Sequence, residues 1–321
     1  MAIQLLIFFG SLAVLIFSAN RFTKAAESIG AFFNMSQIVI GIFIVGLGTS
    51  LPELFSGSLS VMRGHSEILS GNIIGSNISN ILLITGVILA ASKKGIDLKS
   101  LYIFIDLHFL IGSFFYFCLI AYDGEIKMYE AVAGFFIFFI YSRYLISSSE
   151  KGSEMEDLEN TMEPGNKRKT KKEFPIKSLA ILLATCVGIY FGADYTVSSL
   201  GEIATMMNVP SSIIALTLLS LGTTLPELVV NIGAIRAGKA ELALGNILGS
   251  CTFNIFVIPG IASLFGAIHV PDGLLGFPLP VMVGSGILFY MLTADKKMSV
   301  YEGYLFIALY VVFILQIVFA H

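Results

Sequence analysis

The chain has 321 residues, of which 56% are hydrophobic and only 13% charged, with a net charge of −3. Its mean hydropathy is +0.87. Water-soluble chains carry about 25% charged residues, so a soluble multidomain enzyme is excluded, and so is intrinsic disorder. The apolar runs are long and unbroken rather than alternating, which excludes a membrane β-barrel. The acidic balance, with no basic stripe interleaved with aromatics, argues against a nucleic-acid partner. An integral membrane protein remains.

In chain order, the first apolar run, Ile3 to Phe17, has no preceding Lys or Arg. It lacks the basic start of a cleaved signal peptide and reads as a retained helix. Apolar runs and their polar breaks predict an all-α polytopic protein with ten transmembrane helices, over 2–30, 36–62, 68–91, 100–121, 127–146, 177–204, 210–236, 241–266, 274–293 and 299–320. Cys118, Cys186 and Cys251 lie far apart in apolar stretches and suggest neither disulfides nor zinc. The connection over 148–176 is different. It is acidic at Glu154, Glu156, Asp157, Glu159 and Glu163, then basic at Lys167, Arg168, Lys169, Lys171 and Lys172, with Pro164-Gly165 between. It reads as a solvated, flexible linker between a five-helix segment at 1–147 and another at 177–321. The ten-span layout puts 17 of the 19 Lys and Arg on one side and leaves only Arg63 and Lys127 on the other. Basic residues stay in the cytoplasm. The termini are therefore expected outside, the linker inside, and the protein in the cell membrane.

Two segments repeat at a constant offset of 174 residues. Gly48-Thr49-Ser50-Leu51-Pro52-Glu53-Leu54 matches Gly222-Thr223-Thr224-Leu225-Pro226-Glu227-Leu228, and Gly71-Asn72-Ile73-Ile74-Gly75-Ser76 matches Gly245-Asn246-Ile247-Leu248-Gly249-Ser250. Asn80 answers Asn254, and over 46–86 against 220–260 there are 18 identities without a gap. This is the mark of duplication. Five spans per half is an odd number, so the second copy should enter the membrane inverted, as in secondary transporters whose sites lie at mid-membrane where helices are interrupted.

The repeated residues suit such a site. Pro52 and Pro226 each lack an N–H and crowd the carbonyl four residues back, so a helix break is expected at both. Glu53 and Glu227 lie at these breaks, and a mid-membrane carboxylate is a functional candidate by default. Ser50 shares a helix face with Glu53, as Thr224 does with Glu227. Ser76 and Asn80 are four apart, as are Ser250 and Asn254. Gly71, Gly75, Gly245 and Gly249 would let the helices approach closely. The constellation offers carboxylate, hydroxyl, amide and carbonyl oxygens without Cys or His, a donor set for hard cations such as sodium and calcium. Two carboxylates balance one calcium, two sodium ions or two protons, which allows competing cations to occupy one pocket by turns.

The paired Gly-Thr-Ser/Thr-Leu-Pro-Glu and Gly-Asn-x-x-Gly-Ser segments resemble the two alpha repeats of the sodium/calcium exchanger family, within the cation/calcium antiporter superfamily. The resemblance implies exchange of calcium for sodium by alternating access. It implies an ion-binding core of the second, third, seventh and eighth helices, with the first and sixth sliding across it. By motif position it implies ligands at Thr49, Ser50, Glu53, Ser76 and Asn80, and at Thr223, Thr224, Glu227, Ser250 and Asn254, with backbone carbonyls from Gly46 and Ser220. No cofactor and no obligatory protein partner are implied beyond the ions and the bilayer. Many family members place Asp where this chain has Asn254. The two-carboxylate pocket puts three-sodium stoichiometry in doubt, argues against potassium dependence and keeps a calcium/proton antiporter as the alternative.

Plainer readings compete. The glutamates could be a structural polar pair, the asparagines helix–helix hydrogen bonds, and the serines packing residues. The threonines and Ser50 could bond back to their own helices. In other classes, a cation channel would call for ring-like repetition, and an intramembrane enzyme using Ser50 or Thr224 lacks a nearby base, since His65 and His108 lie elsewhere.

Overall fold

The computed structural model describes residues 2–92, 95–97, 103–160, 175–206, 211–293 and 296–319, leaving aside some side chains, chiefly those of 103–106, 148–160 and 211–223. Helices dominate: α1 (Ala2–Phe32), α2 (Gln37–Thr49), α3 (Leu51–Met62), α4 (Ser66–Ala91), α5 (Ile103–Ala121), α6 (Met128–Asn160), α7 (Ile176–Met206), α8 (Ser211–Arg236), α9 (Ala240–Phe265), α10 (Asp272–Thr293) and α11 (Val300–Phe319). Among the described residues seven helices are long and apolar enough to cross a membrane, and α2 with α3 would make an eighth span bent by 43°. The chain is a multi-pass integral membrane protein. Its outward faces are apolar, as at Phe9, Phe136, Phe139, Leu183 and Val312, while its interior buries Thr49, Ser50, Glu53, Asn80, Glu227, Asn246 and Asn254. That inside-out distribution is what a hydrocarbon solvent selects, because a polar group facing lipid has no partner.

Three expectations from the sequence meet a different outcome. First, α6 continues to Asn160, through the start of the connection that reads as a flexible linker. Glu, Met and Leu are good helix formers, Gly152 alone interrupts them weakly, and the first proline comes only at 164. Residues 161–174 lie outside the described residues. Second, the break expected at Pro52 is present but the one at Pro226 is not: α8 runs through Pro226. One missing N–H costs a helix a single bond and does not by itself end it. Third, the four motif glycines behave differently. A methyl on Gly245 or Gly249 would collide with the carbonyl of Ile38 or Ile42 on α2, whereas Gly75 has nothing within 4 Å and Gly71 only a leucine methyl at 3.8 Å. Backbone-to-backbone packing at these four positions is confined to the α2–α9 pair.

Other parts of the two halves do match in detail. α3 and α8 end in the same turn, with Gly64 at φ +80° and Gly238 at φ +76°, a backbone region that glycine enters without steric cost. The bonds agree too: His65 N–H donates to Ser60 O at 2.9 Å and Lys239 N–H to Ala234 O at 2.9 Å. Short strands tie the connections together. β1 (Ile96–Asp97) pairs antiparallel with β4 (Lys297–Met298), and β2 (Glu125–Ile126) with β3 (Ile268–His269). The 174-residue shift carries Ile96 onto Val270 and Gly124 onto Met298. Ile96 pairs with Met298, and Val270 N–H donates to Gly124 O at 2.8 Å. Each ladder therefore joins one half of the chain to the other. α1 and α7 lie antiparallel along each other, with Ser28 bonded to Ser178 at 2.9 Å and Ser11 to Thr196 at 2.8 Å.

Candidate ion-binding site

The site begins at a distortion in α2. The turn over Gly41–Gly46 is a π-helix, a widened turn that shifts carbonyls out of register and recurs at functional places. Three residues later the helix stops. Ser50 sits at φ −88°, ψ 3°, and α3 restarts at Leu51 with Pro52 in its first turn. Pro52 cannot complete the bond to the Gly48 carbonyl, and a first-turn position is where a missing N–H does no harm. Glu53 falls in that same first turn, where the free N–H groups of the helix start favour a carboxylate. A second π-helical turn over Ser79–Ile84 places Asn80 on α4.

Opposite this joint stands α9, drawn close by Gly245 and Gly249. A Cβ on Gly46 would lie 3.0 Å from the Ser250 amide. Contact this close puts side chains about 200 residues apart within bonding distance. The Thr49 hydroxyl lies 3.1 Å from Asn246 Oδ1, 3.3 Å from Gly46 O and 3.4 Å from Ser250 Oγ. Asn246 Nδ2 donates to Asn231 Oδ1 at 3.0 Å. Glu227, on α8, interacts with both the Glu53 carboxylate and Thr49. The Asn80 side chain reaches the Cys251 thiol.

Glu53 and Glu227 are 3% and 2% exposed, and the side chains of Thr49, Ser50, Ser76, Asn80, Thr224, Ser250 and Asn254 are also buried. Five atoms of this set have no hydrogen-bond partner among the described residues: Ser50 Oγ, Glu53 Oε2, Asn80 Oδ1, Glu227 Oε2 and Asn254 Oδ1. Buried polar atoms are almost always partnered, and each exception costs roughly 1–3 kcal/mol. Among the described residues the three ion pairs lie elsewhere, so no basic side chain pairs with either glutamate. Two interacting carboxylates, each with one unpartnered oxygen, and three unpartnered neutral oxygens form a donor set for a hard cation.

Other sequence-derived candidates stand differently. The Gly46 carbonyl accepts from Ser50 N–H at 3.1 Å and from the Thr49 and Ser250 hydroxyls. Thr49 thus does bond back to its own helix, in line with the plainer reading, but its nearest partner lies across the site. Ser76 Oγ donates to Asn72 Oδ1 at 3.2 Å. The side chains of Thr223 and Ser220 lie outside the described residues. Asn246 and Asn231 join the site although the motif reading does not single them out. Asn246 stands in a repeated motif and is legible as a polar residue at matched positions. Asn231 has Gly57 as its counterpart, so the repeat gives no sign of it; only its place four residues after Glu227 puts it on the glutamate's face.

A family model for "Sodium/calcium exchanger protein" matches residues 3–147 and 177–319. Sodium/calcium exchanger MaX1 of Methanosarcina acetivorans is 30% identical over 343 aligned positions, covering 97% of both chains. Inner membrane protein YrbG of Escherichia coli is 25% identical, covering 79% of this chain and 77% of its own. Among solved structures, the sodium-calcium exchanger NCX_Mj soaked with zero sodium and calcium superposes with a TM-score of 0.81 at 26% identity, covering 99% of this chain and 100% of that one. With one family model spanning both halves and relatives matching end to end, the chain belongs to the sodium/calcium exchanger family.

Proposed function

We propose that the protein exchanges calcium for sodium across the membrane by presenting one oxygen-lined site to each side in turn. The observation that carries this is the group of five unpartnered oxygens, two of them on a pair of buried glutamates that have no basic partner among the described residues. Left empty, such a pair repels itself in a medium of low polarity. One calcium or two sodium ions relieve the repulsion, and each cation leaves when the other replaces it. The ligands on this reading are Glu53, Glu227, Asn80, Asn254, Ser50, Thr224, Thr49, Thr223, Ser76 and Ser250, with Gly46 and Ser220 offering carbonyls.

The same reading takes the chain as ten spans. The bent α2–α3 pair is one of them, and α5 and α8 fill the places between the longer apolar helices. The halves at 1–147 and 177–321 lie inverted about the connection between them, with the termini outside and that connection in the cytoplasm. The matched turns at Gly64 and Gly238 and the matched strand ladders support the duplication. Both halves lie in one chain, so a monomer suffices, and the ions are cargo rather than cofactors.

The test is uptake of radioactive calcium into proteoliposomes holding the purified protein. An outward sodium gradient should drive uptake. Uptake that follows only an imposed pH gradient would replace sodium by protons as the coupling ion. Uptake down a calcium gradient without any counter-ion would make the protein a channel.

A further inference from the structure

A hydroxyl carries one proton and two lone pairs, and only a lone pair can face a cation. Where the proton of a ligand hydroxyl goes therefore decides whether that hydroxyl can serve. Around Thr49 Oγ1 lie Asn246 Oδ1 at 3.1 Å, Gly46 O at 3.3 Å, Ser250 Oγ at 3.4 Å and the Glu227 carboxylate; once a cation engages that carboxylate, Asn246 Oδ1 is the nearest acceptor left for the Thr49 proton. It is the oxygen of Asn246 that faces Thr49, because the amide nitrogen is engaged on the far side, donating to Asn231 Oδ1 at 3.0 Å. All three side chains are fully buried, and with the amides in this orientation the chain runs from Thr49 to Asn246 to Asn231, whose own Nδ2 has no partner among the described residues. The matched asparagine of the first half does the same for another candidate ligand: Ser76 Oγ donates to Asn72 Oδ1 at 3.2 Å.

We infer that Asn246 and Asn72 are positioning residues of the cation site: each takes up the proton of a ligand hydroxyl, of Thr49 and of Ser76, and so turns that oxygen's lone pairs toward the ion. Asn231 fixes the orientation of Asn246 and has the same role one step further out. The inference rests on the cation-exchange reading above. It explains why Gly-Asn-x-x-Gly-Ser carries an amide in both halves, which close packing by glycine and serine does not require. Partners that orient metal ligands typically contribute about 10–100-fold in metal affinity.

The experiment is a double-mutant cycle on the full-length protein in proteoliposomes. It compares Asn246→Leu, Thr49→Val and the double variant, with folding checked by gel filtration and thermal unfolding. Asn246→Leu alone should raise the half-saturating calcium concentration about tenfold or more, with a smaller change in maximal rate. In the Thr49→Val background it should add less than about twofold, because the hydroxyl it serves is gone. Independent, multiplying effects in folded protein would overturn the inference, as would an Asn246→Leu variant with wild-type calcium dependence. Should Asn246→Leu fail to fold, the cycle is run with Asn72→Leu and Ser76→Ala in the first half. There too, a loss that vanishes in the Ser76→Ala background supports the inference, and independent effects overturn it. A wild-type protein that moves no calcium would instead remove the exchange reading itself, and this inference with it.

Discussion

At the scale of single residues, charge does the selecting. Replacing Glu53 or Glu227 with Gln keeps the shape but leaves one charge against a divalent ion. Removing one partner of a buried charge pair costs about 3–5 kcal/mol, so calcium uptake in vesicles should fall by about a hundredfold or more in each variant. Full uptake by both would discard the site. Asn254→Asp puts a third carboxylate where the unpartnered Asn254 Oδ1 lies, and the sodium dependence of calcium uptake should change. An unaltered sodium dependence would mean that this position does not touch the ion. The glutamates, Ser50, Asn80 and Asn254 were legible in the sequence because duplication kept rare polar residues at one spacing inside apolar runs. Asn231 was not, because its repeat partner is a glycine and only the fold shows that its side chain meets Asn246.

Among the elements, the close pair is α2 and α9. Gly249 sits against the Ile42 carbonyl, and the backbone cannot yield as a flexible side chain would. Gly249→Ala should therefore destabilise the protein by about 1–3 kcal/mol, visible as a lower unfolding temperature in detergent. Gly75→Ala, inside α4 with open space around it, should unfold at or slightly above the wild-type temperature, since alanine favours a helix interior by about 0.5–1 kcal/mol. Equal stabilities would show that the α2–α9 contact is looser than described. The motif predicts the same behaviour at all four glycines and cannot predict this asymmetry. Sequence periodicity records which residues are small, whereas which pair of helices is pressed together depends on how the two halves are set against each other. The proline positions teach the same lesson. Pro52 coincides with a bend because the π-turn and Ser50 loosen the helix beside it, and Pro226 has an unbroken α8 on both sides.

For the whole molecule, helix positions were readable from apolar runs, since lipid and water sort residues more sharply than any soluble interior does. The extension of α6 to Asn160 was not, because a charged segment reads as solvated whether it is coiled or helical. The sidedness expected from the uneven placement of Lys and Arg has a direct check. In vesicles of known orientation, a membrane-impermeant thiol reagent should label Lys127→Cys from the outside and Lys297→Cys only from the inside. Labelling of both from one face would overturn the layout. The bonds from Thr49 to Asn246 and from Ser250 to Gly46 cross between the two halves of the chain. A chain cut short before residue 227 would therefore hold one site glutamate and lack α9, leaving neither the carboxylate pair nor the helix that faces it.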